Sequence, residues 1–268
     1  MNTTAVPVLT YHGYNIAGND YHDNDHVALA MDLEWLGAGG WTIVPLELAV
    51  RVLFEGEAAS LPERSVALSF DDGTDLDWED VDFGSLGRQR SLGGILTDWQ
   101  RRHPQRPAPH ATTFVIASPA ARAVLAEKAL SHDHGMGEGW WSMAQRSGLM
   151  SIGNHSWDHR HPLVAPEAGG HFFGVDDEAQ ADLQVRQASE YISARSGVWP
   201  RLFAYPWGQA SEFLRTVYFP AVRDRHGCLA AFGTEADWMH CGSDRWYLPR
   251  FVCGQHWRSP DDLAALLA

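Results

Sequence analysis

Residues 66–74 read Val-Ala-Leu-Ser-Phe-Asp-Asp-Gly-Thr. A short apolar run that ends in turn residues is the pattern of a strand buried on both faces, as parallel sheets require. The two carboxylates at its downstream end are harder to explain. Adjacent like charges repel, so the pair brings no stability unless something positive lies over it.

Outward from this stretch, similar strands recur at Val6–Tyr11, Trp41–Val44, Thr112–Ile116, Leu149–Ile152, Leu202–Ala204, Cys228–Phe232 and Tyr247–Val252. Between them lie stripes at helical spacing. Leu29, Leu33 and Leu36 form one, ending at Gly37, Gly39 and Gly40. Leu46, Ala49, Val50 and Leu53 form the next, and Ala181, Val185, Ala188 and Ile192 another, which stops near Gly197. Strands alternating with amphipathic helices imply βα units. The expected fold is α/β, a barrel or distorted barrel with seven or eight mainly parallel strands. No linker divides residues 1–268, so one domain is expected, with loop insertions near 75–109 and 161–177.

Composition narrows the function. The 45% hydrophobic content supports a sizeable core. The net charge of −14, with Lys128 the single lysine, argues against a nucleic-acid partner. No apolar run approaches the ~20 residues of a membrane span. The N-terminus has neither a basic n-region nor an apolar h-region, so a cytoplasmic chain is expected, with a trimmed export signal left open. Cys228, Cys241 and Cys253 form no CxxC motif and read as reduced thiols. The sequence leaves the oligomeric state unknown. Twelve tryptophans suit a carbohydrate site, since sugar rings stack on aromatic faces, although any one of them is more readily a core residue.

Three polar clusters follow predicted strands: Asp71 and Asp72, His155 and His159 in Gly-Asn-His-Ser-Trp-Asp-His, and His12. In a parallel barrel all downstream strand ends open on one face. Histidines four apart share a face on a helical turn. Two imidazoles and a carboxylate are a standard set for a catalytic Zn²⁺ or similar metal. Neighbouring residues at a strand end point apart, so one Asp can ligate while the other acts as a base.

The segments Ser69–Gly73, His155–His159, Phe203–Gly208 and Thr10–Tyr14 together resemble the polysaccharide deacetylases of carbohydrate esterase family 4. The resemblance extends from about Val6 to Val252. It implies an irregular (β/α) barrel, a divalent metal, and removal of acetyl from an N-acetylated sugar. It makes Asp71 the base, and Asp72, His155 and His159 the metal ligands. Tyr205, Pro206 and Trp207 become a wall of the substrate groove, and Asp237-Trp238 loosely matches a motif that orients the site. Trp207 reads equally well as a packed strand-end aromatic. Many relatives brace the base with an arginine where this chain has Ala204, and take the catalytic acid from a C-terminal histidine motif that matches poorly here. A subgroup, the biofilm poly-N-acetylglucosamine deacetylases, is similar in its Tyr-His first strand and Leu-Pro-Arg last strand. That likeness implies His12 as the acid and Arg250 as the brace, with His256 the competing acid. Arg250 is equally consistent with an ordinary ion pair.

Other residues carry weaker signals. Trp140-Trp141 is a sugar platform or core. His132-Asp133-His134 and His161 lie in loops within reach of a groove. Asp75, Asp77, Glu79 and Asp80 form an acidic rim or a solvated face. The expected activity is a metal-dependent deacetylase with a carbohydrate substrate. An amidase on a small cyclic or linear amide would use the same motifs. A non-catalytic sugar-binding relative would usually have lost a ligand or the base.

Overall fold

The structure, a computed structural model, describes residues 4–130, 135–166 and 171–268. Eight strands form its main sheet: β1 (Val8–His12), β2 (Thr42–Ile43), β3 (Ser65–Asp71), β4 (Ala111–Val115), β5 (Met150–Asn154), β6 (Leu202–Ala204), β7 (Ala230–Phe232) and β8 (Phe251–Val252). Every pairing among them is parallel, in the order β7-β6-β5-β4-β3-β1-β8, with β2 joined to the start of β3. The stretch quoted above is β3. It lies between β1 and β4, and all seven of its residues are buried. A central parallel strand is covered on both faces, which is why its sequence is apolar without alternation.

The sheet curls. Leu248 bridges Phe232 of β7, and three residues later β8 pairs with β1. The segment from Leu248 to Val252 thus spans the two edges, giving the expected irregular barrel. Only Phe251 and Val252 of the expected Tyr247–Val252 strand are regular.

Helices α1 (Asp25–Ala38), α2 (Leu46–Phe54), α3 (Leu92–Arg102), α4 (Pro119–Lys128) and α5 (Trp141–Ser147) cover the outside, followed by a helical stretch over 178–196. The last ends at Gly197, whose φ of 84° suits glycine. The 75–109 stretch is more than a loop. It holds a hairpin and α3, whose Trp99 donates its indole N–H to the carbonyl of Leu33 on α1. Gly93 lets α3 sit close, since a Cβ there would lie 2.8 Å from the Trp78 ring. The 161–177 stretch contributes the buried Phe172. His132, Asp133 and His134 lie outside the described residues. No described helix is long and apolar enough to cross a membrane.

Candidate active site

The downstream ends of β1, β3 and β5 meet at one cleft of about 210 Å³, lined by His12, Tyr14, Asp71, Asp72, His155, His159 and Trp207 among others. His12 is the cross-strand partner of Asp71 in the β1–β3 ladder. β3 ends at Asp71, and the next residue turns sharply, with a φ of 75° at Asp72. The turn sends the two carboxylates apart.

Asp71 points into the barrel. Arg250 meets it in a two-pronged pair, Nη1 to Oδ1 at 2.7 Å and Nη2 to Oδ2 at 2.8 Å. The guanidinium is fully buried and uses its other donors on the carbonyl of Gly233 and the hydroxyl of Ser69. Burial raises the carboxyl pKa, but Arg250, then His155, outweigh it and hold Asp71 well below the usual carboxylate range. Asp71 is therefore fixed and ionised. The positive group beside the pair is Arg250, from the last strand segment. At Ala204, where many relatives carry the arginine, this chain offers only its backbone carbonyl, which accepts from His155 Nδ1 at 2.8 Å.

Asp72 faces the histidines. Its Oδ1 lies 3.5 Å from Nε2 of His155 and 3.5 Å from Nε2 of His159. Two donors ~2.1 Å from a tetrahedral ion stand about 3.4 Å apart, so the spacing fits a metal. The carbonyl of Ala204 fixes the proton of His155 on Nδ1, leaving the Nε2 lone pair toward Asp72. Burial, then His155 and His161, push the pKa of His159 well below 6.5, so the His159 ring is neutral at pH 7. The donor set fits a divalent cation.

The histidines do not meet on a helix, as their spacing suggested. Ser156, His159 and Arg160 have φ values of 74°, 62° and 43°, a left-handed turn. Asn154 accepts from the N–H of Ser156, and the Ser156 hydroxyl accepts from the N–H of His159. The intervening polar residues build the turn that brings both rings to Asp72.

Other expectations need correction. Tyr205 is buried, its hydroxyl donating to the carbonyl of Trp246, and Pro206 is buried beside it. Of the three residues expected to wall the groove, only Trp207 lines the cleft, with Gly208 beside it. Trp207 is 42% exposed, and its ring stands 4.2 Å from that of His159. Its φ of 53° is strained for a non-glycine residue and turns the indole outward. Trp238 is not in the cleft. It packs on Trp41, which precedes β2 at the opposite end of the barrel, and donates to the carbonyl of Leu266. Trp140 and Trp141 are core. The acidic rim dissolves: Asp77 is buried against the hydroxyls of Thr74 and Thr113, and Asp80 pairs with Arg90. His161 does reach the site, at the edge of a neighbouring pocket with Trp207 and Tyr14. His256 is not among the residues lining the cleft, and its Nδ1 accepts from the N–H of Val252.

Sequence reasoning missed Tyr14, Thr234 and Gln255, which also line the cleft. Tyr14 had one signal, its place two residues after His12. Burial, then the charges of Asp72 and Asp71, push its hydroxyl pKa up, so it stays protonated.

The sequence profile of the polysaccharide deacetylase family matches residues 106–218. Residues 106–218 are thus similar to the polysaccharide deacetylase family. The matched segment contains His155, His159 and Trp207, while His12, Asp71, Asp72 and Arg250 lie outside it. Among solved structures, the chain is similar to the Streptococcus pyogenes deacetylase PplD in complex with acetate, at 15% identity over 100% of both chains with a TM-score of 0.69. The BpsB deacetylase domain from Bordetella bronchiseptica matches at 15% identity over 93% of this chain and 96% of that one, with a TM-score of 0.63. IcaB from Ammonifex degensii matches at 18% identity over 98% and 97%, with a TM-score of 0.62. Likeness at these identities is one of fold. No protein of curated function matches the chain.

Proposed function

We propose that the protein is a polysaccharide deacetylase that removes acetyl from an N-acetylated sugar polymer, with Zn²⁺ as its metal. One observation favours a glycan over a small anionic amide. The described residues lining the cleft and its neighbouring pocket include Tyr14, Trp207 and His161 but no lysine or arginine. Arg250 is nearby, but Asp71 occupies its fork. An aromatic mouth without a free cation suits a neutral sugar.

Asp72, His155 and His159 would hold the cation, which supplies Lewis acidity to the acetyl carbonyl and the attacking water. Asp71 takes the water proton. Each of its oxygens has two lone pairs, so pairing with Arg250 leaves one free on each. His12 lies across the ladder from Asp71 and protonates the leaving nitrogen. Trp207 offers a stacking face at the rim. Acetate and a free amino sugar leave.

Acetate release from N-acetylglucosamine oligomers, measured with and without a chelator, tests the reading. Release should stop on chelation and return with added Zn²⁺. Persistent release in the chelated, metal-stripped protein would rule out the proposed metal chemistry. The acid assignment has its own test. His12→Ala should lose ~10²–10⁴-fold in amide turnover and much less on an activated ester, whose leaving group needs little protonation. His256→Ala should keep both activities. The reverse pattern would give the role to His256.

A further inference from the structure

Helix α1 opens on Asn24-Asp25-His26, and all three residues are buried. Asn24 is the helix cap, accepting from the N–H groups of His26 and Val27. The cap explains Asn24 alone. An acid in a first turn can serve the helix dipole from the surface, and a buried histidine needs partners.

Both residues reach the loop that leaves β1. Asp25 Oδ2 accepts the backbone N–H of His12 at 2.7 Å and the side-chain amide of Asn15 at 3.4 Å. His26 Nε2 lies 2.8 Å from the carbonyl of Gly13, and its Nδ1 lies 2.6 Å from that of Arg90. With the His26 proton on Nε2, which donates to Gly13, the peptide groups on either side of the His12–Gly13 link are gripped from one helix end. Gly13 allows a third contact, since a Cβ there would fall 2.6 Å from Asp77 Oδ1 and 2.7 Å from Thr74 Oγ1. That contact seats the loop on the turn that follows the Asp pair. The ring of His12 needs such help. Its Nδ1 is buried and has no hydrogen-bond partner among the described residues, so no side-chain bond at that nitrogen sets its direction.

We propose that Asp25 and His26 are positioning residues for His12. They clamp its backbone so that the imidazole stands in the cleft beside Asp71. The inference rests on the reading of His12 as the acid.

A double-variant cycle tests it. Amide turnover, activated-ester turnover and metal affinity would be measured in His26→Leu, His26→Gln, Asp25→Ala, His12→Ala and the His12→Ala/His26→Leu pair. His26→Leu should lose ~10- to 100-fold in kcat on the amide, as expected for a misplaced group. KM, metal affinity and ester turnover should hold within about 2-fold if only the acid is displaced. His26→Gln keeps an N–H donor for Gly13 and should recover most of the loss. The double variant should lose no more than His12→Ala alone. Hydrogen exchange over residues 12–15 should speed up in Asp25→Ala and His26→Leu, where the clamp is broken, and not in His12→Ala. Fully additive losses, or unchanged exchange over 12–15, would overturn the positioning role and leave the acid reading standing. Wild-type amide turnover in His12→Ala would instead overturn the acid reading, and the catalytic consequence drawn here with it.

Discussion

Asp71→Asn should lower kcat by ~10²–10⁴-fold while metal binding survives. The substitution keeps the shape and one oxygen for Arg250, but an amide cannot take a proton. Asp72→Asn, one residue along, should do the opposite and weaken the metal first. The structure gives the reason. Asp71 faces Arg250 inside the barrel, whereas Asp72, turned by its left-handed backbone, faces His155 and His159. Metal content by mass spectrometry and turnover at saturating metal separate the two. Equal metal loss in both variants would show that both carboxylates ligate and that the base lies elsewhere.

That division was legible in the sequence only in part. Strand, paired acids and glycine marked the place, and residue type suggested the chemistry. Which acid turned which way depended on the φ of Asp72, which composition does not encode. The same limit explains the errors. Tyr205 and Trp207 are two residues apart in a strand-end turn, yet one is buried and the other half-exposed, because a strained backbone at Trp207 breaks the alternation. Trp238 lies close in sequence to the Leu-Pro-Arg segment, but the chain there runs to the other end of the barrel. Helix α3 was hidden by Gly93-Gly94 in its first turn, where glycine is a poor helix former but close packing against Trp78 requires it. His155 and His159 do come together at Asp72, but a turn rather than the expected helix joins them.

The Arg250–Asp71 pair is where stability and the proposed function meet. Arg250→Leu should destabilise the fold by about 3–5 kcal/mol at neutral pH, the cost of leaving a buried charge without its partner. The pH dependence identifies the cause. In the wild type the folded pKa of Asp71 lies below its unfolded value of ~3.9. The pair's contribution is therefore full above that value and fades as pH falls toward the folded one. Without Arg250 the main opposing influence is gone, and burial raises the carboxyl pKa instead. The deficit of Arg250→Leu relative to wild type should then be largest near pH 7 and shrink toward pH 3, as Asp71 becomes neutral in the variant. Arg250→Lys should restore little, because a point charge cannot fill the two-pronged geometry or reach both Gly233 and Ser69. Replacing both partners, Asp71→Leu with Arg250→Leu, should cost less stability than Arg250→Leu alone while abolishing turnover. Urea unfolding of the wild type and the three variants at pH 3 and pH 7 measures each of these effects. A deficit in Arg250→Leu of the same size at both pH values would mean that lost packing, including the contact of the guanidinium with the Phe114 ring, outweighs the charge pair. Arg250 would then be a core residue that happens to touch the base.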